Sequence, residues 1–102
     1  MLQNPGGGVK IGDNTMVAAQ CYIIDADHGT KAGALVSGQP NIVSPVTIGE
    51  DVWIAANCTI LKGSVIENGA VIGAKSLVKG RVVENSVSAG IPARHIKFRS
   101  EQ

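Results

Sequence analysis

A branched aliphatic residue recurs at every sixth position along one stretch of the chain: Ile48, Ile54, Ile60, Ile66, Ile72 and Val78. An α-helix returns to one face after three or four residues and a strand after two. A strict period of six is a multiple of two, but a plain strand does not run this far. The pattern predicts a solenoid of short straight runs, each stacked on its neighbours. The position four after each aliphatic is also restricted, to Val52, Cys58, Ser64, Ala70, Ser76 and Val82, mostly small and never charged. Gly49 and Gly73 follow their aliphatics directly, Ala55 stands in the same place, and Asn57, Asn68 and Gly69 fall near the corners. Six residues make one run and one corner, so three runs close a triangle of roughly 18 residues. The aliphatics then form files down the inside, and the small residues fill the space beside them. Gly and Asn at the corners tolerate positive φ, which most residues resist.

The same pattern appears upstream at Ile11, Val17 and Ile23, with Thr15, Cys21 and Asp27 in the small slot. IGDN at 11–14 repeats the corner IGED at 48–51. The register breaks after His28. Residues 29–45, rich in Gly, Ser, Asn and Pro, have no six-residue period and predict an excursion from the coil. The expected organisation is therefore a single domain: a flexible segment 1–8, a first coil 9–28, an extruded loop 29–45, two further coils 46–83 and a tail 84–102. Pro92 excludes a central strand there, so the tail is expected to cross and cap the last coil. The outer edge of the first coil is expected to be unpaired, and an open edge invites association.

Composition agrees with a repeat built on aliphatics. Aromatic residues make up 3% of the 102 residues, and there are 13 glycines. A net charge of +1 gives no electrostatic case for nucleic acid. No apolar run approaches membrane-spanning length, and MLQNPGGG does not read as a signal peptide. Cys21 and Cys58 both fall in the inward small slot, which reads as core thiols in a reducing cytoplasm.

The segments IGDNTMVAAQCYIIDADHG, PVTIGEDVWIAANCTILKGSVIENGAVIGAKSLV and AGIPARHIK carry a more specific signal. Over about Val9 to Lys97 the chain resembles the hexapeptide-repeat acyltransferases, in the branch of sugar and xenobiotic O-acetyltransferases. The resemblance implies an all-β fold, a left-handed parallel β-helix with one extended loop. It implies a homotrimer with active sites between subunits, acetyl-CoA as acyl donor and a sugar or other small-molecule acceptor. No metal is required. The carbonic-anhydrase branch of this fold holds zinc with three His, and this chain has only His28 and His95, far apart. His95 reads as structural.

Residue by residue, the resemblance makes His28 the general base, taking the acceptor's proton as that atom attacks the thioester. Imidazole suits the task because it titrates near neutrality. From residue type alone, His28 reads equally as a corner residue that starts the loop. Asp25 and Asp27 are substrate-binding candidates beside it, although a carboxylate in an inward slot needs partners. Ala56, Ala74 and Lys79 match positions along the donor groove. Trp53 would pack on the pantetheine arm or on a neighbouring subunit. Arg94 matches the family arginine that meets the nucleotide phosphates, a role suited to a guanidinium; a solvated surface arginine is the alternative.

The chain also departs from the pattern. Lys79, Gly80 and Arg81 stand where relatives carry Thr-Lys-Asp, and Ala55 stands where they carry Gly. Relatives place a further coil before the IGDN coil, with residues that hold the acceptor, and nothing here matches it. The alternative to an enzyme is a shortened β-helix that serves as a trimeric scaffold without turnover.

Overall fold

The computed structural model describes residues 7–99. Their first strands are β1 (Val9–Ile11), β2 (Met16–Val17), β3 (Tyr22–Ile23) and β4 (Ala26–His28). After an excursion come β5 (Asn41–Val43), β6 (Val46–Ile48), β7 (Trp53–Ile54), β8 (Thr59–Ile60) and β9 (Val65–Ile66). The last are β10 (Val71–Ile72), β11 (Leu77–Val78), β12 (Arg81–Val82), β13 (Ser86–Gly90) and β14 (Ala93–Phe98). Three ladders form the sides of a prism, in the orders β1-β6-β9-β12, β2-β7-β10-β13-β14 and β3-β8-β11. Every coil-to-coil pairing is parallel and in register, as in Ile11↔Ile48↔Ile66 on the first face. Among the described residues no helix is long and apolar enough to cross a membrane.

The six-residue file forms the core. Ile48, Ile54, Ile60, Ile66, Ile72 and Val78 are each at most 1% exposed. Burying each such side chain contributes about 2 kcal/mol. The small slot is buried beside them, and its polar members find carbonyls on the next rung. Ser64 Oγ donates to Val78 O at 3.2 Å, and Cys58 Sγ donates to Gly73 O at 3.1 Å. The file is open at its first coil, where Ile11 is 49% and Val17 38% exposed.

The chain turns each corner through a left-handed residue: Asp51, Asn57, Gly63, Gly69 and Lys75 have φ between 56° and 77°, six positions apart. Gly49 serves another purpose. A Cβ there would lie 2.2 Å from Asn68 Oδ1 and 2.9 Å from Asn68 N, so this glycine permits one coil to approach the next.

Three expectations are corrected. Val82 does not fill a small slot; it pairs with Ile66, sixteen positions earlier, in the aliphatic file, whereas Ile66 pairs with Ile48, eighteen positions earlier. The last coil is two residues short because Gly80, at φ 103°, turns the chain early. Asp27 does not point inward. The register breaks before His28, at Asp25, because Ala26–His28 pairs antiparallel with Asn41–Val43 and leaves Asp27 exposed on a hairpin. The tail does not cross the last coil. β14 adds to one face only, antiparallel to β13, with Ala93 packed against the core. Met1–Gly6 of the expected flexible segment lie outside the described residues, while Gly8 is held, its carbonyl accepting from Val46 N at 2.9 Å.

Candidate functional site

The excursion between the first two coils is a hairpin with a stiff stem. β4 and β5 pair with His28 opposite Asn41, and Ser44 N donates to Asp25 O at 2.8 Å where the ribbon joins the coil. The tip is braced by one side chain. Gln39 Oε1 accepts from Lys31 N at 3.0 Å, and its Nε2 donates to Lys31 O at 3.0 Å and to Ala34 O at 3.3 Å. Gly29 makes room for that amide, since a Cβ there would lie 2.7 Å from Gln39 Oε1.

His28 is exposed and lines a cleft of about 280 Å³ with Tyr22, Ile24, Ala26, Asp27 and Asn41. Nothing in the six-residue period marks Tyr22 or Asn41 as part of a site. Tyr22 is an outward residue of the third face, and Asn41 arrives only through hairpin pairing. The two carboxylates each have a partner of their own. Asp25 Oδ2 accepts from Gly8 N at 2.7 Å, and Asp27 Oδ2 lies 3.8 Å from Lys62 Nζ.

The five donor-groove candidates divide. Ala56 and Ala74 stack at the corner between the second and third faces, where Lys75 N donates to Ala56 O at 3.0 Å. Arg94 joins this corner, because its register partner on β13 is Ala89, whose Cβ lies against Gly73. This edge of the prism is a stripe of small residues with an arginine at its end. Lys79 follows β11 and leaves from the opposite end of the third face. Trp53, 47% exposed, lies outward on the second face. There it lines a cleft of about 480 Å³ with Met16, Val71, Val87, Lys97 and Arg99. That cleft and the His28 cleft share no residue.

The thiols stack on adjacent rungs, with Tyr22 N donating to Cys58 O at 2.8 Å and Cys21 Sγ donating to Ala55 O at 3.1 Å. Burial pushes the Cys58 thiol above its ordinary range; a backbone hydrogen bond at Ser76 opposes this, and the neighbouring Cys21 adds to it. A raised thiol of this kind is a poor nucleophile.

The model of bacterial transferase hexapeptide repeats (six repeats) matches residues 45–80, the stretch that forms the buried file. This chain carries that family's hexapeptide repeat. Its fold is the left-handed parallel β-helix of that family's acetyltransferases. It is 41% identical over 97 residues to a putative lipopolysaccharide biosynthesis O-acetyl transferase of Escherichia coli, covering 87% of this chain and 50% of that protein. A maltose O-acetyltransferase from Clostridium difficile superposes with a TM-score of 0.82 at 39% identity, over 88% of this chain and 48% of the other. A galactoside acetyltransferase in complex with coenzyme A also gives 0.82, at 34% identity, over 88% of this chain and 44% of the other. The chain spans half or less of the length of these hexapeptide-repeat relatives.

Proposed function

We propose that this hexapeptide-repeat chain transfers an acetyl group from acetyl-CoA to a hydroxyl of a sugar or similar small acceptor. The observation that carries the reading is the placement of His28. It stands exposed on the stiff stem of a hairpin, in a cleft large enough for a small acceptor. His28 takes the proton of the acceptor hydroxyl, the oxygen attacks the thioester carbonyl, and the CoA thiolate leaves and recovers the proton. No covalent enzyme intermediate is needed. The stripe at Ala56 and Ala74 lets an extended pantetheine arm approach the backbone closely, with Arg94 toward the phosphates. The likeness to a galactoside acetyltransferase in complex with coenzyme A supports this donor.

A homotrimer with sites between subunits is part of the proposal. Within one chain, the His28 hairpin and the Ala56–Ala74 stripe leave from different corners of the prism, so a neighbouring copy is needed to bring donor and base together. The outward apolar file Met16, Trp53 and Val71 on the second face offers it a surface. Trp53 and Lys79 are assigned to the donor groove through the same neighbour. Two free thiols fit a reducing cytoplasm.

The test is acetyl transfer from acetyl-CoA to a panel of sugars, with CoA release followed in the wild type and in His28→Ala. The variant is expected to lose at least about a hundredfold in turnover while still binding CoA. Equal rates in both proteins leave the scaffold reading standing and remove this one.

A further inference from the structure

The stem of the hairpin carries more than its histidine. His28 and Asn41 are register partners in an antiparallel pair. Residues directly opposite in such a pair share a face, with Cβ atoms about 4.5–5.5 Å apart. The imidazole and the carboxamide therefore leave the ribbon side by side. Alternation turns the Asp27 and Ile42 side chains to the other side of the ribbon, where the Asp27 carboxylate meets Lys62, while Asp27 still borders the cleft. Among the described residues, neither the His28 nor the Asn41 side chain is engaged in a hydrogen bond. The carboxamide thus keeps one acceptor oxygen and two N–H donors free. Tyr22, 58% exposed, stands in the same cleft and offers a flat ring.

We propose that Asn41 positions the acceptor, selecting molecules with a polar group next to the hydroxyl that His28 deprotonates. This rests on the acetyl-transfer reading above. A group that both donates and accepts, one cross-strand spacing from the base, suits a vicinal diol: one hydroxyl faces His28 and its neighbour faces Asn41. The Tyr22 ring gives such an acceptor an apolar wall, as a pyranose ring requires. The neutrality of the amide also matters. A carboxylate at this position would favour the protonated imidazole over the neutral base. Asn41 binds without that cost.

The experiment is steady-state kinetics with acetyl-CoA and, as acceptors, glucose, galactose and their monodeoxy analogues. It compares the wild type with Asn41→Thr and Asn41→Asp. Threonine keeps a good strand former in the stem and removes the carboxamide; aspartate keeps the shape. Loss of one hydrogen bond predicts an acceptor KM raised about three- to tenfold in Asn41→Thr. The KM for acetyl-CoA stays at its wild-type value, and the preference for the parent sugar over the analogue lacking the neighbouring hydroxyl disappears. In Asn41→Asp the acidic limb of the kcat/KM profile moves to higher pH. The proposal is overturned if both variants keep the wild-type acceptor KM, or if the acceptor and acetyl-CoA KM values rise together. A wild type that binds CoA but acetylates none of these acceptors overturns the acetyl-transfer reading, and the role of Asn41 with it.

Discussion

Asn68 places its side-chain oxygen in the space that Gly49 leaves open, and there accepts a hydrogen bond from Glu50 N at 2.8 Å. The bond links two coils across the corner where Gly69 N also donates to Glu50 O at 2.9 Å. It exists only because residue 49 has no side chain. Gly49→Ala puts a methyl group against both the Asn68 amide and its backbone. Because backbone must move, the expected cost is about 1–3 kcal/mol, read as a lower urea midpoint at unchanged slope. At the equivalent place on the next corner the chain already carries Ala55. Ala55→Gly is expected to cost less, about 1 kcal/mol or below.

The aliphatic file is uniform in sequence and uneven in burial. Ile60 is fully buried, whereas Ile11, in the same repeat position, is 49% exposed at the open coil. Ile60→Ala leaves a cavity that the stacked rungs on either side cannot close, and should cost about 2–5 kcal/mol. Ile11→Ala should cost less than half as much in the isolated chain. Unfolding curves of the two variants side by side check this. Equal losses would mean that Ile11 is covered in solution by another copy or another segment.

The period of six read the buried file correctly because one geometric cause, inward stacking, acts on every coil alike. It placed Val82 in the wrong slot because Gly80 shortens one corner by two residues. A single glycine in a glycine-rich repeat does not announce that. The corner residues were only partly legible. Asn57 and Gly69 are types that favour positive φ, but Gln20 and Lys75 adopt φ of 62° and 61° with no such preference. There the closure of the coil overrides the residue's own tendency. At the site, His28 could be singled out through its flanking segments. Asn41 could not, because its importance arises from an antiparallel register that no repeat encodes. The six-residue period extends to Asp27 in the sequence, but in the fold the hairpin takes over one step earlier and turns Asp27 outward.

The stacked thiols give a pH-dependent stability with a definite sign. Burial raises the Cys58 thiol in the folded chain above the ordinary value of 9.0. On raising pH, the unfolded chain therefore loses this proton first. The stabilising contribution is complete below 9.0 and falls as pH climbs through the raised value. Cys58→Ser keeps a donor for Gly73 O and removes the titration. The difference in unfolding free energy between wild type and variant should be flat from about pH 6 to 8 and shrink above about pH 9. A difference that grows with pH would contradict the burial argument. Alkylation offers a second measurement, since Cys21 is only partly buried and Cys58 is 1% exposed. Native protein should be modified at Cys21 first, and at Cys58 only on unfolding.

Gln39 separates local order from global stability. Its amide makes three hydrogen bonds, to Lys31 N, Lys31 O and Ala34 O, all within the hairpin tip, and none reaches the coils. Each net bond contributes about 0.5–1.5 kcal/mol when shielded and less at an exposed tip. Gln39→Ala should therefore release residues 30–38 without loosening the stacked file. The expected result is faster proteolysis and amide exchange confined to that segment, with the global unfolding midpoint moved by less than about 0.5 kcal/mol. The β4–β5 stem keeps its own pairing, so His28 stays opposite Asn41 and the chemical step is preserved. What changes is the order of the tip, which continues the chain directly from His28. Acceptor KM should rise while kcat holds within about twofold, since an unbraced tip must be ordered each time an acceptor binds. A fall in kcat at constant KM would mean instead that the tip carries a group used in the reaction itself. Lys31 would then be the residue to replace next, because Gln39 fixes its backbone on both sides.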